Sequence, residues 1–340
     1  MDVNYGKEVK RYLSEHVTLL RIHRFDVADV QFDDALVSSV VVWFRKSPPR
    51  EQSTVRFTSG SSLSSPTSSR PILLSDLKHD SKWSRLSIKS SKREDSSLGP
   101  KLSDLFQIKR GLATGANKFF ILTPDDVASH RIPSEFLVPI LPSPRYLTSN
   151  EIEAEKNGDP RLDKRLYLLD CKLQEPRIRS SYPSLWAYLE SGKKQQIHMR
   201  YICAHRSPWY SQEKRPPAPL LCTYMGRSDT KSSRTFRFIL NHSQALVANV
   251  YLMLYPRPSL LRVIAQSPHI LRLLWDTLNA MPIESLIETG RSYGGGLHKL
   301  EPSELAQAPA GELVKLLAST VFHTQSQADL FTAPSDRTGI

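Results

Sequence analysis

Cysteine is scarce: Cys171, Cys203 and Cys222 are the only three in 340 residues, and they stand far apart. No Cys-x-x-Cys pair occurs, so neither a zinc knuckle nor a disulfide framework is supported. A reducing cytoplasm is the simplest compartment for such thiols. The ten histidines form no His-Glu-x-x-His or His-x-His pair, so no metal signature is expected. There is no Gly-x-Ser-x-Gly elbow, no nuclease-like acid–lysine spacing, and no Gly-x-Gly-x-x-Gly turn after a strand. Long apolar runs are missing too. A membrane span needs about 18 residues, whereas ALVANVYLMLY (245–255) is shorter and reads as a core element. The polar opening, residues 1–10, is unlike a signal peptide. Acids are outnumbered, 34 against 46 Lys and Arg, leaving a formal charge of +12. That excess suits a polyanion, because each cation placed on a phosphate releases condensed counterions. A merely soluble basic protein is the alternative.

What is present suggests two domains, or one domain and part of another. YGKEVKRYLSEHV (5–17) puts Val9, Tyr12, Leu13 and Val17 near one helix face, and LLRIHRF (19–25) reads as a strand. ALVSSVVVWF (35–44) is almost continuously apolar, as expected of a buried strand. SGSSLSSPTSS (59–69) reads as a low-complexity spacer, as does the Ser/Lys-rich stretch 87–97, with a short helix and an anchored Trp83 between them. From 101 the pattern is that of a separate domain. LSDLFQIKRGLATGANKFFIL (102–122) predicts strand, Thr-Gly turn and strand, and RLYLLDC (165–171) predicts another strand. SLWAYLESGKKQ (184–195) predicts a helix ending near Gly192. Strands are expected at 233–241 and 245–254, and helices at 259–281, broken by Pro268, and at 311–322.

Two kinds of cluster carry chemistry. Phe32 stands just before the β-branched run of 35–44, where a core aromatic is the bland reading. Residues 200–237 hold Arg200, Arg206, Lys214, Arg215, Arg227, Lys231, Arg234 and Arg237 against Glu213 and Asp229, with Trp209, Tyr210 and Tyr224 interleaved. Such a run reads as a nucleic-acid contact or as a solvated face with structural aromatics. Lys109, Arg110, Thr114 and Lys118 surround the 111–115 turn, whose tip either reaches a groove or is an ordinary hairpin end. Arg291, His298 and Lys299 flank Gly294–Gly296, where backbone N–H groups either meet phosphates or simply close a loop.

In their order, VQFDDALVSSVVVWF (30–44), YGKEVKRYL, IKRGLATGANKFFIL, VPILPSPRYL (138–147) and GRSYGGGLHKLEPSEL (290–305) resemble TaqI-type adenine-specific DNA methyltransferases of restriction–modification systems. The resemblance runs over roughly residues 1–320. It implies the truncated edge of a Rossmann-like α/β sheet at 1–46, a Ser-rich connector at 47–100, a mixed α+β target-recognition domain at 101–322 and a disordered tail at 323–340. It implies that Phe32 stacks on an adenine flipped from the duplex, since an extruded base needs an aromatic face. It implies double-stranded DNA as the partner, with contacts from Lys109, Arg110, Thr114, Lys118, Arg200, Arg206, Tyr210, Arg227, Arg291 and Lys299.

The family's Asn-Pro-Pro-Tyr-type loop and Gly-rich donor loop have no counterpart. The Pro-Pro pairs at 48–49 and 216–217 lack the leading Asn, and the glycines after Tyr293 lie outside any βαβ unit. S-adenosyl-L-methionine is therefore expected as the donor of a complete enzyme and not as a ligand of these residues. The expectation is a chain inactive alone. It is either the recognition part of an adenine-N6 methyltransferase complemented by a separate catalytic chain, a stand-alone specificity subunit, or a non-functional truncated remnant.

Overall fold

The computed structural model describes residues 6–26, 29, 31–34, 37–50, 52–79, 83, 99–227, 235–293 and 296–319. The chain forms two compact units. One comprises Met1–Gly99, Met225–Thr235 and Ile283–Leu300, and the other Pro100–Tyr224, Phe236–Pro282 and Glu301–Ile340. The architecture is mixed α/β with several sheets.

In the first unit, helix α1 (Gly6–Glu15) precedes strands β1 (Thr18–Arg24), β2 (Val40–Arg45), β3 (Thr54–Ser59) and β4 (Ser68–Leu73), and helix α2 (Leu74–His79) follows. The strands form one sheet in the order β2-β1-β3-β4, in which only β1 and β3 run parallel. Its core gathers Leu13, Val17, Leu19, Ile22, Val55, Phe57, Leu77 and Trp83, and the Trp83 indole donates to the Leu77 carbonyl at 2.9 Å. Of the helix face expected from periodicity, Leu13 and Val17 are buried while Val9 and Tyr12 stay exposed.

Two sequence expectations fail in this unit. The run 35–44 is not a buried strand. Among its described residues the strand is Val40–Arg45, at the sheet edge, where Val40 and Phe44 face solvent and the Arg21 guanidinium covers the Trp43 ring at 4.7 Å. Continuous apolarity signals burial only when both faces are covered, and an edge strand lacks that cover. The serine tract is not a spacer either. It is the connection of the β3–β4 hairpin, paired from Thr54–Leu73 to Ser59–Ser68. Its hydroxyls bond locally, Thr67 Oγ1 to the Ser59 carbonyl at 3.0 Å and Ser62 to Ser64 at 3.0 Å. Gly60 sits at φ 136°, where a Cβ would meet the Thr67 nitrogen at 2.7 Å. The composition hid the hairpin because in β4 only Ile72 is buried, and the strand begins with Ser68, Ser69 and Arg70.

The second unit opens with α3 (Leu102–Leu105), β5 (Phe106–Arg110), α4 (Asn117–Phe120), β6 (Ile121–Leu122) and α5 (Pro124–His130). It continues through β7 (Leu137–Pro139), β8 (Glu151–Ile152), β9 (Tyr167–Leu169), α6 (Glu175–Ser181), α7 (Pro183–Lys194), α8 (Tyr201–Ala204) and β10 (Leu220–Thr223). Strand β11 (Met225–Arg227) belongs to the first unit. The second unit resumes with β12 (Phe238–Asn241), β13 (Tyr251–Pro256), α9 (Pro258–Gln266) and α10 (Ile270–Ala280), the last two separated at Pro268 as expected. Helix α11 (Ile283–Thr289) and strands β14 (Arg291–Ser292) and β15 (Leu297–Lys299) return to the first unit, and α12 (Pro302–Leu305) and the helical residues 311–319 close the second.

A five-stranded sheet, β5-β13-β10-β12-β8, is the spine of the second unit, with β10 and β12 wholly buried. A smaller sheet, β6-β9-β7, is antiparallel throughout. The strands expected on either side of the Thr-Gly turn in 102–122 are present as β5 and β6, but they do not pair with each other. β5 pairs with β13, β6 pairs with β9, and Asn117–Phe120 between them is helical. Helix α7 also runs past Gly192. That glycine answers to packing rather than termination, since a Cβ there would meet the Phe119 ring at 2.5 Å and the Trp209 ring at 2.9 Å. Among the described residues no helix is long and apolar enough to cross a membrane. The stretch 87–97 and the tail 323–340 lie outside the described residues.

Candidate nucleic-acid interface

The 111–117 turn is built by close backbone approach. A Cβ at Gly111 would meet the Ala248 carbonyl oxygen at 2.2 Å, and Gly111 N and Leu112 N donate to the Tyr251 and Val247 carbonyls at 2.9 and 2.8 Å. Thr114 is fully buried, contrary to its expected place at an exposed tip. Its hydroxyl donates to Asn117 Oδ1 at 2.6 Å and accepts from Ala116 N at 3.1 Å, fixing the start of α4. Gly115, at φ 83°, leaves room for the Cys203 thiol, which a Cβ would approach at 2.9 Å.

Arg206, expected as a DNA contact, holds this turn from below. It donates from Nη2 to the Ala113 carbonyl at 2.7 Å and from Nη1 to the Thr114 carbonyl at 3.0 Å and Gln212 Oε1 at 3.1 Å. Burial presses its pKa below the ordinary arginine value. Tyr210 is likewise internal. It is fully buried, it donates to the Leu173 carbonyl at 2.6 Å, and burial pushes its hydroxyl up to about 12. The buried Tyr210 hydroxyl is satisfied inside the fold, as a buried polar group must be, and the half-buried Arg206 makes its hydrogen bonds within the protein. Trp209 packs against Phe119 and Phe120, and Tyr224 lies under the Arg110 guanidinium at 3.9 Å while donating to Glu301 at 2.7 Å. Arg110 also donates from Nε to the Asn249 carbonyl at 3.0 Å, so one face and one edge of its guanidinium are occupied within the protein. Arg237 is spent on Asn150 and on the carbonyls of Pro144, Leu147 and Ser149.

Three of the expected cations stay outward. Lys109 is exposed on β5, whose partner β13 covers only one edge. Lys118 and Arg200 line a cleft of about 780 Å³ together with Thr114, Asn117, His130, Ser191, Gln195 and Asn249. Arg200 touches the Gly115 carbonyl at 3.5 Å, so residues far apart in sequence meet around one turn.

A second basic surface was legible only as fragments. β11, β15 and β14 form a three-stranded antiparallel sheet in the first unit, with Met225, Lys299 and Arg291 abreast and Arg227 opposite Leu297. Side chains two residues apart share a face of a strand, so Arg227, Lys299 and Arg291 stand on one side. Gly226, Ser292 and the buried His298 occupy the other. At Gly226 a Cβ would fall 1.5 Å from the Thr235 carbonyl oxygen, which admits no other residue. The ring of His298 bonds Ser292 at 3.0 Å, and burial, then Arg24, lowers its pKa. Phe32 stands exposed in the β1–β2 connection, at 53% of its surface, and is not the core aromatic of the bland reading. Lys231, Arg234, Gly294 and Gly295 lie outside the described residues.

Sequence reasoning also missed Glu151, Glu153 and His242, whose donor atoms lie within 4.8 Å of one another. His242 bonds the Glu151 carboxyl at 3.0 Å and Arg272 pairs with the same oxygen, and these two hold that carboxyl below its ordinary pKa.

Residues 82–329 match the family described as Type II methyltransferase M.Eco57I, C-terminal domain. The chain is 26% identical over 324 residues to the type II methyltransferase M.AccI of Acinetobacter calcoaceticus, covering 90% of this chain and 56% of that protein. It is 29% identical over 322 residues to M.XamI of Xanthomonas campestris pv. amaranthicola, covering 94% of this chain and 56% of that protein. The chain thus spans about half the length of the curated relatives it matches. Among solved structures, the type IIL restriction–modification enzyme MmeI in complex with DNA overlaps at a TM-score of 0.44 and 11% identity, covering 86% of this chain and 35% of that one. The type IIG restriction endonuclease BpuSI overlaps at 0.35 and 13% identity, covering 91% and 38%. Overlaps this partial support no statement about fold.

Proposed function

Because the chain belongs to the family of type II methyltransferase C-terminal domains, we propose that it is the DNA-recognising part of a site-specific methyltransferase acting on the exocyclic amine of adenine. The observation that carries this reading is the meeting of Lys118 and Arg200 around the Gly115 turn, at an open cleft in a chain of net charge +12. Cations so placed bind phosphates or read guanine edges, and the polar side chains between them offer donors and acceptors to bases. Lys109, exposed in the same unit, adds a further phosphate contact. The adenine assignment rests on the TaqI-type order of motifs, and the exposed Phe32 gives a flipped adenine a face to stack on.

S-adenosyl-L-methionine is the donor this reading requires, and the described residues do not fit it. Doubly wound folds bind such ligands at the carboxyl ends of parallel strands. The four-stranded sheet has one parallel pair, and Gly296 stands next to β15, which pairs antiparallel with β14. Donor binding and polarisation of the amine are accordingly assigned to other residues, on this or another polypeptide.

Selection of bound duplexes from a random-sequence pool tests the recognition role. Enrichment of one short sequence supports it, and recovery of an unbiased pool contradicts it. Adenine specificity is tested by adding a separately expressed donor-binding segment of a relative and labelled donor. Label is expected on adenine in the selected sequence only in the mixture, and label on cytosine would overturn the assignment.

A further inference from the structure

Two side chains stand out from the second unit. Tyr201 is 79% and Met199 66% exposed, the highest values for large apolar residues among those described. They are not loose. Ile197 and Cys203, on either side, are buried at 3% and 0%, and a Cβ on Gly115 would meet the Cys203 thiol and Ile202 at 2.9 and 3.1 Å. The segment is thus clamped to the 111–115 turn, and the three residues Met199–Tyr201 between the buried ends are exposed where a 3₁₀ turn (Ile197–Met199) hands over to α8. The Tyr201 ring rests on His205, with centroids 4.4 Å apart, and His205 bonds the Tyr201 carbonyl at 2.7 Å. Arg200 lies between the two apolar side chains and opens onto the cleft with Lys118.

Charge decides what covers this tip. Residues 191–212 contain no Asp or Glu, and of their cations Lys194 and Arg200 are exposed, whereas Lys193 pairs with Glu175 and Glu190 and Arg206 is spent on the turn. Apolar side chains held rigidly among cations suit a polyanion whose interior is itself apolar and stackable, which is a nucleic-acid duplex. We propose that Met199 and Tyr201 form a wedge that enters the base stack of double-stranded DNA while Arg200 and Lys118 hold the flanking phosphates. The proposal rests on the DNA-recognition reading above. It gives Tyr201 the role that sequence alone suggested for Tyr210.

The test uses the 340-residue chain and a random-sequence duplex with 5-iodouracil in place of thymine, irradiated at low ionic strength. Stacked aromatic and thioether side chains crosslink to this base. The tryptic peptides Gln195–Arg200 and Tyr201–Arg206 are expected to carry the adduct. Met199→Ala with Tyr201→Ala should abolish it and weaken duplex binding about tenfold, because base stacking of this kind contributes at least that much. Tyr201→Phe should restore both. Both positions are exposed, so the substitutions leave the fold intact.

Adducts confined to other peptides, with wild-type affinity in the double variant, would overturn the wedge and leave the recognition reading standing. Unchanged duplex affinity with loss of self-association in sedimentation would assign the tip to a second copy of the chain and also overturn it. Failure of the unsubstituted chain to bind duplex at all would remove the recognition reading, and the wedge with it.

Discussion

Tyr210 and Tyr201 stand nine positions apart in one basic run, and residue type does not distinguish them. One is fully buried with its hydroxyl on the Leu173 carbonyl, and the other is the most exposed large apolar side chain described. The sequence reading could name cations and aromatics but not their direction, because exposure here is set by the Gly115 turn packing on Cys203, a contact between residues 88 positions apart in the chain. Arg206 and Thr114 were misassigned for the same reason. Their polar groups are consumed in building the turn rather than presented by it. Tyr210→Phe therefore tests a structural role. It leaves the Leu173 carbonyl without its partner and should cost about 1 kcal/mol in denaturant unfolding. Duplex affinity should stay within about twofold. A selective loss of binding would return Tyr210 to the interface.

At the level of elements, sequence periodicity located α1, β1, β9 and the α9–α10 break well, because each is patterned by its own residues. It failed where pairing or packing comes from afar. β5 and β6 look like the arms of a hairpin yet join different sheets, and the serine-rich hairpin has little apolar signal of its own. Gly192 looked like a helix end and is a packing site. Ala favours helix by about 1 kcal/mol over Gly, so a local view predicts that Gly192→Ala stabilises α7. The Phe119 ring cannot yield freely, since it stacks on Tyr188 at 4.6 Å and meets Phe120 edge-on at 5.0 Å. Overpacking of this kind costs about 1–3 kcal/mol, so the variant should melt lower than wild type, and a higher melting temperature would contradict the packing account.

Helix α5 offers a pH test. Asp126 accepts from Thr123 N at 2.9 Å and Thr123 Oγ1 at 2.7 Å, and these bonds hold its carboxyl below the ordinary 3.8. A depressed folded pKa means its contribution is complete above the unfolded value and is lost as pH falls through the folded one. Asp126→Asn should therefore flatten the decline of unfolding free energy below about pH 4. A slope identical to wild type would show that the capping box is not the titrating element.

Over the whole molecule, charge and family point the same way. The formal charge of +12 was legible from composition. The grouping of Arg227 with Arg291 and Lys299 was not, since it depends on β11 pairing with a strand about 70 residues away. The most direct measurement is a titration of labelled duplex DNA with the 340-residue chain at two ionic strengths. Saturable binding is expected at about 50 mM salt, weakening by at least about a hundredfold at about 200 mM as counterions compete for the phosphates. No binding at the lower salt, or binding indifferent to salt, would contradict the account of this chain as the part of a methyltransferase that recognises DNA.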